Sequence, residues 1–264
     1  MKKVICNATN EEVSMEYCRN CSLNIPSPCS YDYALIKRVH AAVQPREGTH
    51  VTDLVHCLRR AYYQATDPVP EQPADVMYRV LGTATHALLE DEGDENLMTE
   101  TPLEYEGIVG TVDAYYPKTK TLVDYKTTRW LKKAYLPYGD HTRQVNVYRW
   151  LLTNNGYEVD KMFLHYIDLS GPSKCRSCKI PLIEQSGIFL CPICGKLVKG
   201  GHHGTAMVEV PVDIDTESFI RRRKEILDNA YVNNQPPAGD PSFLCEYCQF
   251  NSICPDADVR ERSI

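Results

Sequence analysis

Residues 107–128 read GIVGTVDAYYPKTKTLVDYKTT, and the spacing of charge within this stretch decides the fold. Residues 103–116 and 121–128 have the β-branched and aromatic content of strands, and YPKTK between them supplies a turn. Asp113 lies on the first strand, and Asp124 and Lys126 lie on the second. Residues two apart on a strand point to the same side, so Asp124 and Lys126 share a face, and hairpin pairing brings Asp113 beside them. Two carboxylates and a lysine at one sheet edge form a chemical unit. The carboxylates suit Mg²⁺ or Mn²⁺. Such an ion polarises a phosphodiester and acidifies its bound water. The lysine orients that water and offsets charge developing on the phosphate.

Outward from the hairpin, the pattern mixes helices and strands. Apolar positions Leu54, Val55, Leu58, Ala61 and Tyr62 predict a helix from an N-cap at Thr52 through Gln64, with Cys57 on it. PVPEQPA (68–74) breaks it, and a second helix carrying His86 follows over 76–90. After the hairpin comes a helix over 141–155, capped by Asp140 and stopped by Gly156. MFLHYIDL (162–169) and TAMVEVPVDI (205–214) read as strands, and a last helix covers 216–232. Residues 1–36 are polar, dotted with cysteines and poor in periodicity.

The 12 cysteines fall into three sets of four. Cys175, Cys178, Cys191 and Cys194 make two CxxC pairs around a dozen-residue spacer, the pattern of a zinc ribbon, with Gly195 where a tight turn is wanted. Some thirty residues have too little apolar area to fold alone, so metal would supply the stability of this segment. Cys6, Cys18, Cys21 and Cys29 contain one CxxC pair, for which zinc is again expected. Cys57 with Cys245, Cys248 and Cys254 would join distant parts of the chain, and spacing alone admits either zinc or an iron–sulfur cluster there. His202 and His203 stand beside a ribbon whose four cysteines already complete a site, and are expected to face solvent or DNA.

With 264 residues, 43% of them hydrophobic, the chain can bury one core plus one or two small modules. There is neither a membrane-spanning run nor the apolar stretch of a secretory leader. A soluble cytoplasmic protein without a membrane partner is therefore expected, and in a reducing compartment paired cysteines favour metal over disulfides. The net charge of −6 argues against an indiscriminate nucleic-acid coat protein. Local basic runs are compatible with a nuclease: Lys174 to Lys199 holds five cations against Glu184, and Arg129, Lys132 and Lys133 follow the hairpin.

Asp113 with Asp124-Tyr125-Lys126 resembles the PD-(D/E)xK nuclease signature. Gln144 and Tyr148, four apart on one helix face, resemble the QxxxY element of the RecB-like branch of these enzymes. His86 stands where that branch often carries a metal-binding histidine. Cys57 plus CxxCx5CP resembles its iron–sulfur staple, and the whole is similar to CRISPR-associated RecB-like exonucleases over roughly 48–170 and 205–256. The resemblance implies that His86, Asp113, Asp124 and the Tyr125 carbonyl bind the catalytic Mg²⁺ or Mn²⁺. It also implies that Lys126 is the catalytic lysine and that Gln144 and Tyr148 position it or the DNA. It implies a [4Fe–4S] cluster on Cys57, Cys245, Cys248 and Cys254. Residues 1–36 and 171–204 are additions to that pattern.

The expected fold is α/β, a restriction-endonuclease-like core with a mixed central sheet flanked by helices, plus small zinc modules. The N-terminal module spans 1–36, the core 37–170 and 205–264, and the inserted ribbon 171–204. The expected function is metal-dependent trimming of DNA ends, single-stranded DNA included, in CRISPR spacer acquisition beside an integrase complex. Two other readings stay open: a RecB-like nuclease of repair, recombination or phage origin, and a non-catalytic scaffold that binds DNA ends.

Overall fold

The computed structural model describes residues 3–43, 47–89, 94–129, 131–185, 188–199 and 201–256. Its backbone divides into two compact units, one formed by Met1–Ala84 with Phe219–Ile264 and the other by Thr85–Ser218. Among the described residues no helix is long and apolar enough to cross a membrane.

The first unit begins with an antiparallel pair, β1 (Lys3–Ile5) and β2 (Glu12–Ser14). Helices α1 (Met15–Ser22) and α2 (Tyr33–Ala42) follow. Each starts on a side-chain cap: Ser14 Oγ accepts from the Tyr17 amide at 3.0 Å, and Asp32 Oδ1 from the Leu35 amide at 2.9 Å. Sequence periodicity missed both, because helices of this length present too few turns for an apolar stripe to stand out. The two-residue strand β3 (Thr49–His50) comes next.

The helix expected over 52–64 is in fact two, α3 (Val51–Val55) and α4 (Leu58–Thr66). His56 is extended, and Cys57 is the N-cap of α4 rather than a residue within a helix. Leu54, Val55, Leu58 and Tyr62 are buried on both sides of the break, so the apolar pattern reads straight through it. Arg223, on α7 (Thr216–Asn233), donates to the carbonyls of Leu54 and His56, which the break frees, and also to Asp240. Helix α5 (Pro73–Leu89) starts on a proline, whose missing N–H costs nothing in a first turn. The expected end at Glu90 lies outside the described residues.

The second unit holds a mixed sheet. Strands β4 (Met98–Tyr105), β5 (Ile108–Tyr116), β6 (Thr121–Thr128), β7 (Lys161–Asp168) and β11 (Thr205–Glu209) pair in the order β4-β5-β6-β7-β11. The β6–β7 pairing is parallel and the other pairings are antiparallel. The strand expected over 103–116 is corrected to two strands joined at Glu106-Gly107. Both of these have positive φ (51° and 72°), the geometry of a two-residue hairpin turn. β11 stops short of the expected 214, before Pro211, which cannot donate to a ladder.

Helix α6 (Gly139–Asn154) crosses from β6 to β7 and packs on β4 through β7. It buries Val145, Val147, Tyr148, Trp150, Leu151 and Leu152 against Leu122, Leu164 and Met162 of the sheet. Its N-cap is Tyr138; Asp140, the expected cap, sits in the first turn, and Gly156 ends the segment at φ +88°. Between β7 and β11 lie the small strands β8 (Ile183–Gln185), β9 (Ile188–Leu190) and β10 (Leu197–Val198), an antiparallel sheet of their own. Leu182 and Phe189 are buried with Cys175 and Cys191 at its centre.

Candidate active site

The hairpin places its charged residues as alternation requires, with one addition. Asp113 on β5 and Asp124 on β6 are buried, 7% and 1% exposed. The Tyr125 amide donates to Asp113 Oδ2 at 2.7 Å, tying the two strands at the site itself. From α5, His86 Nδ1 approaches Asp113 Oδ1 at 3.3 Å and Glu100 Oε1 at 3.1 Å. His86, Glu100 and Asp113 offer ligand atoms that all lie within 4.8 Å of one another.

Glu100 is the residue that sequence reasoning missed. It falls opposite Asp113 in the β4–β5 register, between the pairs Thr99↔Ala114 and Thr101↔Val112, and its φ of +42° is left-handed, a region a glutamate rarely adopts. The available signal was the Glu106-Gly107 turn: once a hairpin is centred there, counting outward puts Glu100 across from Asp113.

Lys126 completes the other half of the site. Its Nζ lies 2.6 Å from Asp124 Oδ2 and donates to Gln144 Oε1 at 2.9 Å. Gln144 Nε2 in turn donates to the Tyr148 hydroxyl at 3.0 Å. Lysine has no acceptor, so the amide oxygen must face it, which fixes the orientation of Gln144. Gln144 and Tyr148 are both buried, so the amide depends on these two partners for its hydrogen bonds.

The electrostatics follow from burial and crowding. His86 is raised to about 9, first by its hydrogen bond to Asp113 and then by the charges of Asp113 and Glu100. Burial pushes Asp124 up to about 6, opposed by Lys126 and reinforced by Asp113. Burial, with the charges of Asp124 and Asp113, pushes Tyr148 well above the ordinary tyrosine range, so it stays protonated. Both oxygens of Asp124 lack an aligned hydrogen-bond donor; the Lys126 contact is an ion pair without hydrogen-bond geometry. A buried carboxylate in that condition calls for positive charge. One imidazole and clustered carboxylates form a donor set suited to Mn²⁺ or Mg²⁺.

The cysteine sets differ. Cys175, Cys178, Cys191 and Cys194 are drawn within 4.8 Å of one another, a fit to one tetrahedral ion. Each knuckle donates an amide to sulfur, Cys178 N to Cys175 Sγ at 3.4 Å and Cys194 N to Cys191 Sγ at 3.5 Å. Lys179 and Gly195 close the knuckles at positive φ. The amide of Cys178 lowers Cys175 to about 6, which favours the thiolate. The sulfurs of the other two sets are not drawn to that spacing. In the first unit, the Asp240 amide donates to Cys57 at 3.4 Å, the Ser242 amide to Cys245 at 3.3 Å, and Arg59 to Cys254 at 3.9 Å. Burial and the neighbouring Cys29, Cys6 and Cys21 push Cys18 up to about 11.

The expectation that His202 faces solvent or DNA is corrected. Its Nε2 is 3.4 Å from Asp168 Oδ2, its Nδ1 accepts the Gly204 amide at 3.1 Å, and its side chain is largely buried. Asp168 also accepts from the Leu131 amide, so it ties the base of the ribbon to the loop after β6. His203 is exposed, pairs with Glu184 and leans on Phe189.

The profile of the PD-(D/E)XK nuclease superfamily matches residues 93–255. Among solved structures, that of SSO0001 aligns with a TM-score of 0.53 and 24% identity, covering 85% of this chain and 95% of that one. A phage related exonuclease from Haemophilus somnus 129PT gives 0.37 and 14%, covering 74% and 97%. LHK-Exo, an alkaline exonuclease from Laribacter hongkongensis, gives 0.37 and 9%, covering 75% and 97%. No curated protein matches at a significant level. The superfamily match takes in well over half of the sequence, including the hairpin with Asp113 and Asp124-Tyr125-Lys126, and the chain belongs to the PD-(D/E)XK nuclease superfamily.

Proposed function

We propose that this protein is a metal-dependent DNA exonuclease that trims strand ends. The observation that carries the reading is the convergence of His86, Glu100 and Asp113 beside Asp124, a buried carboxylate short of donors, with Lys126 held at its edge. His86, Glu100, Asp113 and Asp124 would hold Mn²⁺ or Mg²⁺, with the Tyr125 carbonyl as a further candidate ligand. An ion held there would polarise the phosphodiester and acidify its bound water.

The protein's own residues do the rest. Lys126 presents a cation beside the developing charge of the pentavalent phosphate, where a fixed donor in a water-poor site acts most strongly. Gln144 accepts from the Lys126 ammonium and Tyr148 accepts from Gln144, so the lysine is already positioned before the reaction. His86 must give up its proton to ligate, because an imidazolium has no free lone pair.

The finer placement among CRISPR-associated exonucleases acting with an integrase complex rests on Cys57 and the CxxCx5CP run, with a [4Fe–4S] cluster there and zinc on the other two cysteine sets. Iron, sulfide and zinc content of anaerobically purified protein tests this assignment: about four irons per chain support it, and zinc alone at Cys57, Cys245, Cys248 and Cys254 overturns it.

The function is tested by incubating that protein with Mn²⁺ and end-labelled single-stranded and duplex DNA beside a Lys126→Ala control. Stepwise shortening by the native protein, absent in the variant, is expected. Silence from both, with full metal content and measurable DNA binding, overturns the reading in favour of a binding scaffold.

A further inference from the structure

We propose that the cysteine ribbon and the loop following β6 form one phosphate-binding surface that grips the DNA strand beyond the cleavage centre. The inference rests on the nuclease reading for the identity of the polyanion, and on separate residues for the surface itself. Five cations, Lys174, Arg176, Lys179, Lys196 and Lys199, are exposed on a segment whose single acid is Glu184. None of the five has an ion-pair partner among the described residues, and Glu184 is already met by His203 at 2.8 Å.

The ribbon's own chemistry does not use up this charge. Four thiolates around a divalent ion carry a net charge of about −2. Part of that charge is met by the amides of Cys178 and Cys194. A net positive face remains. Arg176 and Lys179 flank the first knuckle and Lys196 the second, and Cys175 Sγ lies 3.8 Å from Cys194 Sγ, so the three are gathered around one end of the ribbon.

A second observation joins this face to the active-site strand. The loop leaving β6 carries Lys132 and Lys133, both exposed, and Lys133 Nζ lies 5.6 Å from the ring centroid of Phe189 in the ribbon core. The same loop is held by the Leu131 amide on Asp168, which His202 also faces. One end of this loop is therefore the strand bearing Asp124 and Lys126, and its middle rests on the basic ribbon. Contacts of this kind bind phosphates without regard to sequence and weaken with salt. Ile193 and Leu197, exposed on the same segment, offer apolar contact to unstacked bases.

The test compares Arg176→Glu/Lys179→Glu/Lys196→Glu with the parent protein, both in a Lys126→Ala background so that the strand is not consumed. Affinity for a fluorescent single-stranded 20-mer is measured across salt concentrations. The expected result is at least a tenfold loss of affinity at low salt, and a slope of log K on log salt flattened by about two, at roughly 0.7 per lost phosphate contact. With Lys126 retained, turnover of bis(p-nitrophenyl) phosphate, a substrate without a flanking strand, is expected to be unchanged by the reversals. Should the triple reversal lose metal, Arg176→Gln/Lys196→Gln, with metal content matched to the parent, tests the same surface, with the slope expected to flatten by about 1.4 at roughly 0.7 per lost contact. Unchanged affinity and slope in a metal-replete variant overturn the proposal and leave the exposed apolar residues to a protein contact. A native protein that cleaves nothing overturns the nuclease reading instead, whatever the slope shows.

Discussion

Among its described residues the second unit contains two places where ligand atoms crowd within 4.8 Å, and they are built on opposite plans. The ribbon offers four sulfurs, two of them accept from backbone amides, and its small core is closed around Cys175 and Cys191. The hairpin site offers one imidazole and two carboxylates of mixed exposure, with a further carboxylate whose oxygens lack aligned donors and a lysine beside it. A closed donor set leaves nothing for a substrate to do, whereas an unsatisfied one next to a cation is where chemistry can occur. Completeness of coordination, more than the presence of a metal, separates a staple from an active site.

The contrast can be broken or sharpened experimentally. Lys126→Ala is expected to cost roughly 10²–10³-fold in kcat, the usual loss for a fixed electrostatic donor. DNA affinity and ribbon zinc content should stay unchanged; a variant that cleaves normally would remove the lysine from the open site. Glu100→Gln is expected to weaken Mn²⁺ binding by about 10- to 100-fold, measured by calorimetry, while zinc stays bound. Unchanged Mn²⁺ affinity would show that Glu100 merely holds His86.

Gly201→Ala tests the closed plan. A Cβ there would lie 2.4 Å from Phe189 Cγ, so the ribbon core must shift, at a cost of about 1–3 kcal/mol. Faster hydrogen exchange in β8 to β10 with unchanged exchange in β6 is the expected signature. Loss of protection throughout β6 would mean that the two plans are not separable.

The last effect is a pH dependence. His86 is raised to about 9 in the metal-free fold. Its ion pairing therefore stabilises that fold fully below the unfolded imidazole value of about 6.5 and is lost as pH climbs through about 9. The Tm advantage of the metal-free native protein over His86→Gln should shrink between pH 6 and 9.5. Mn²⁺ binding must displace the same proton, so affinity should rise by about tenfold per pH unit between 7 and 8.5. A flat profile would place His86 outside the open site.

The hairpin was legible because its chemistry is local: Asp124 and Lys126 share a face by strand alternation, and Asp113 needs one turn to join them. The clustering of the two CxxC knuckles was legible for the same reason. Glu100 was not, since Glu-Gly is a weaker hairpin signal than Asn-Gly and reading through it merged β4 with β5. The break at His56-Cys57 was hidden by an apolar stripe that continues across it, and is held by Arg223, more than 160 positions away in sequence. His202 was misread because its partner, Asp168, looked like the tail of a strand and not like a buried acceptor.

The parallel pairing of β6 with β7 bears on how the site comes into being. Glu100 meets Asp113 across a tight hairpin, whereas β6 finds β7 from Thr121 to Lys161 only after α6 has been spanned. Pairing at such a separation carries a larger loop-closure entropy and forms later than a local hairpin. The β5–β6 hairpin is equally local, so Asp113, Asp124 and Lys126 can come together early, before β7 pairs with β6 and before α6 brings Gln144 to the lysine. The carboxylates and the lysine would then stand together before Gln144 and β7 fix them, so the late, long-range pairing is the step that sets the place of the lysine.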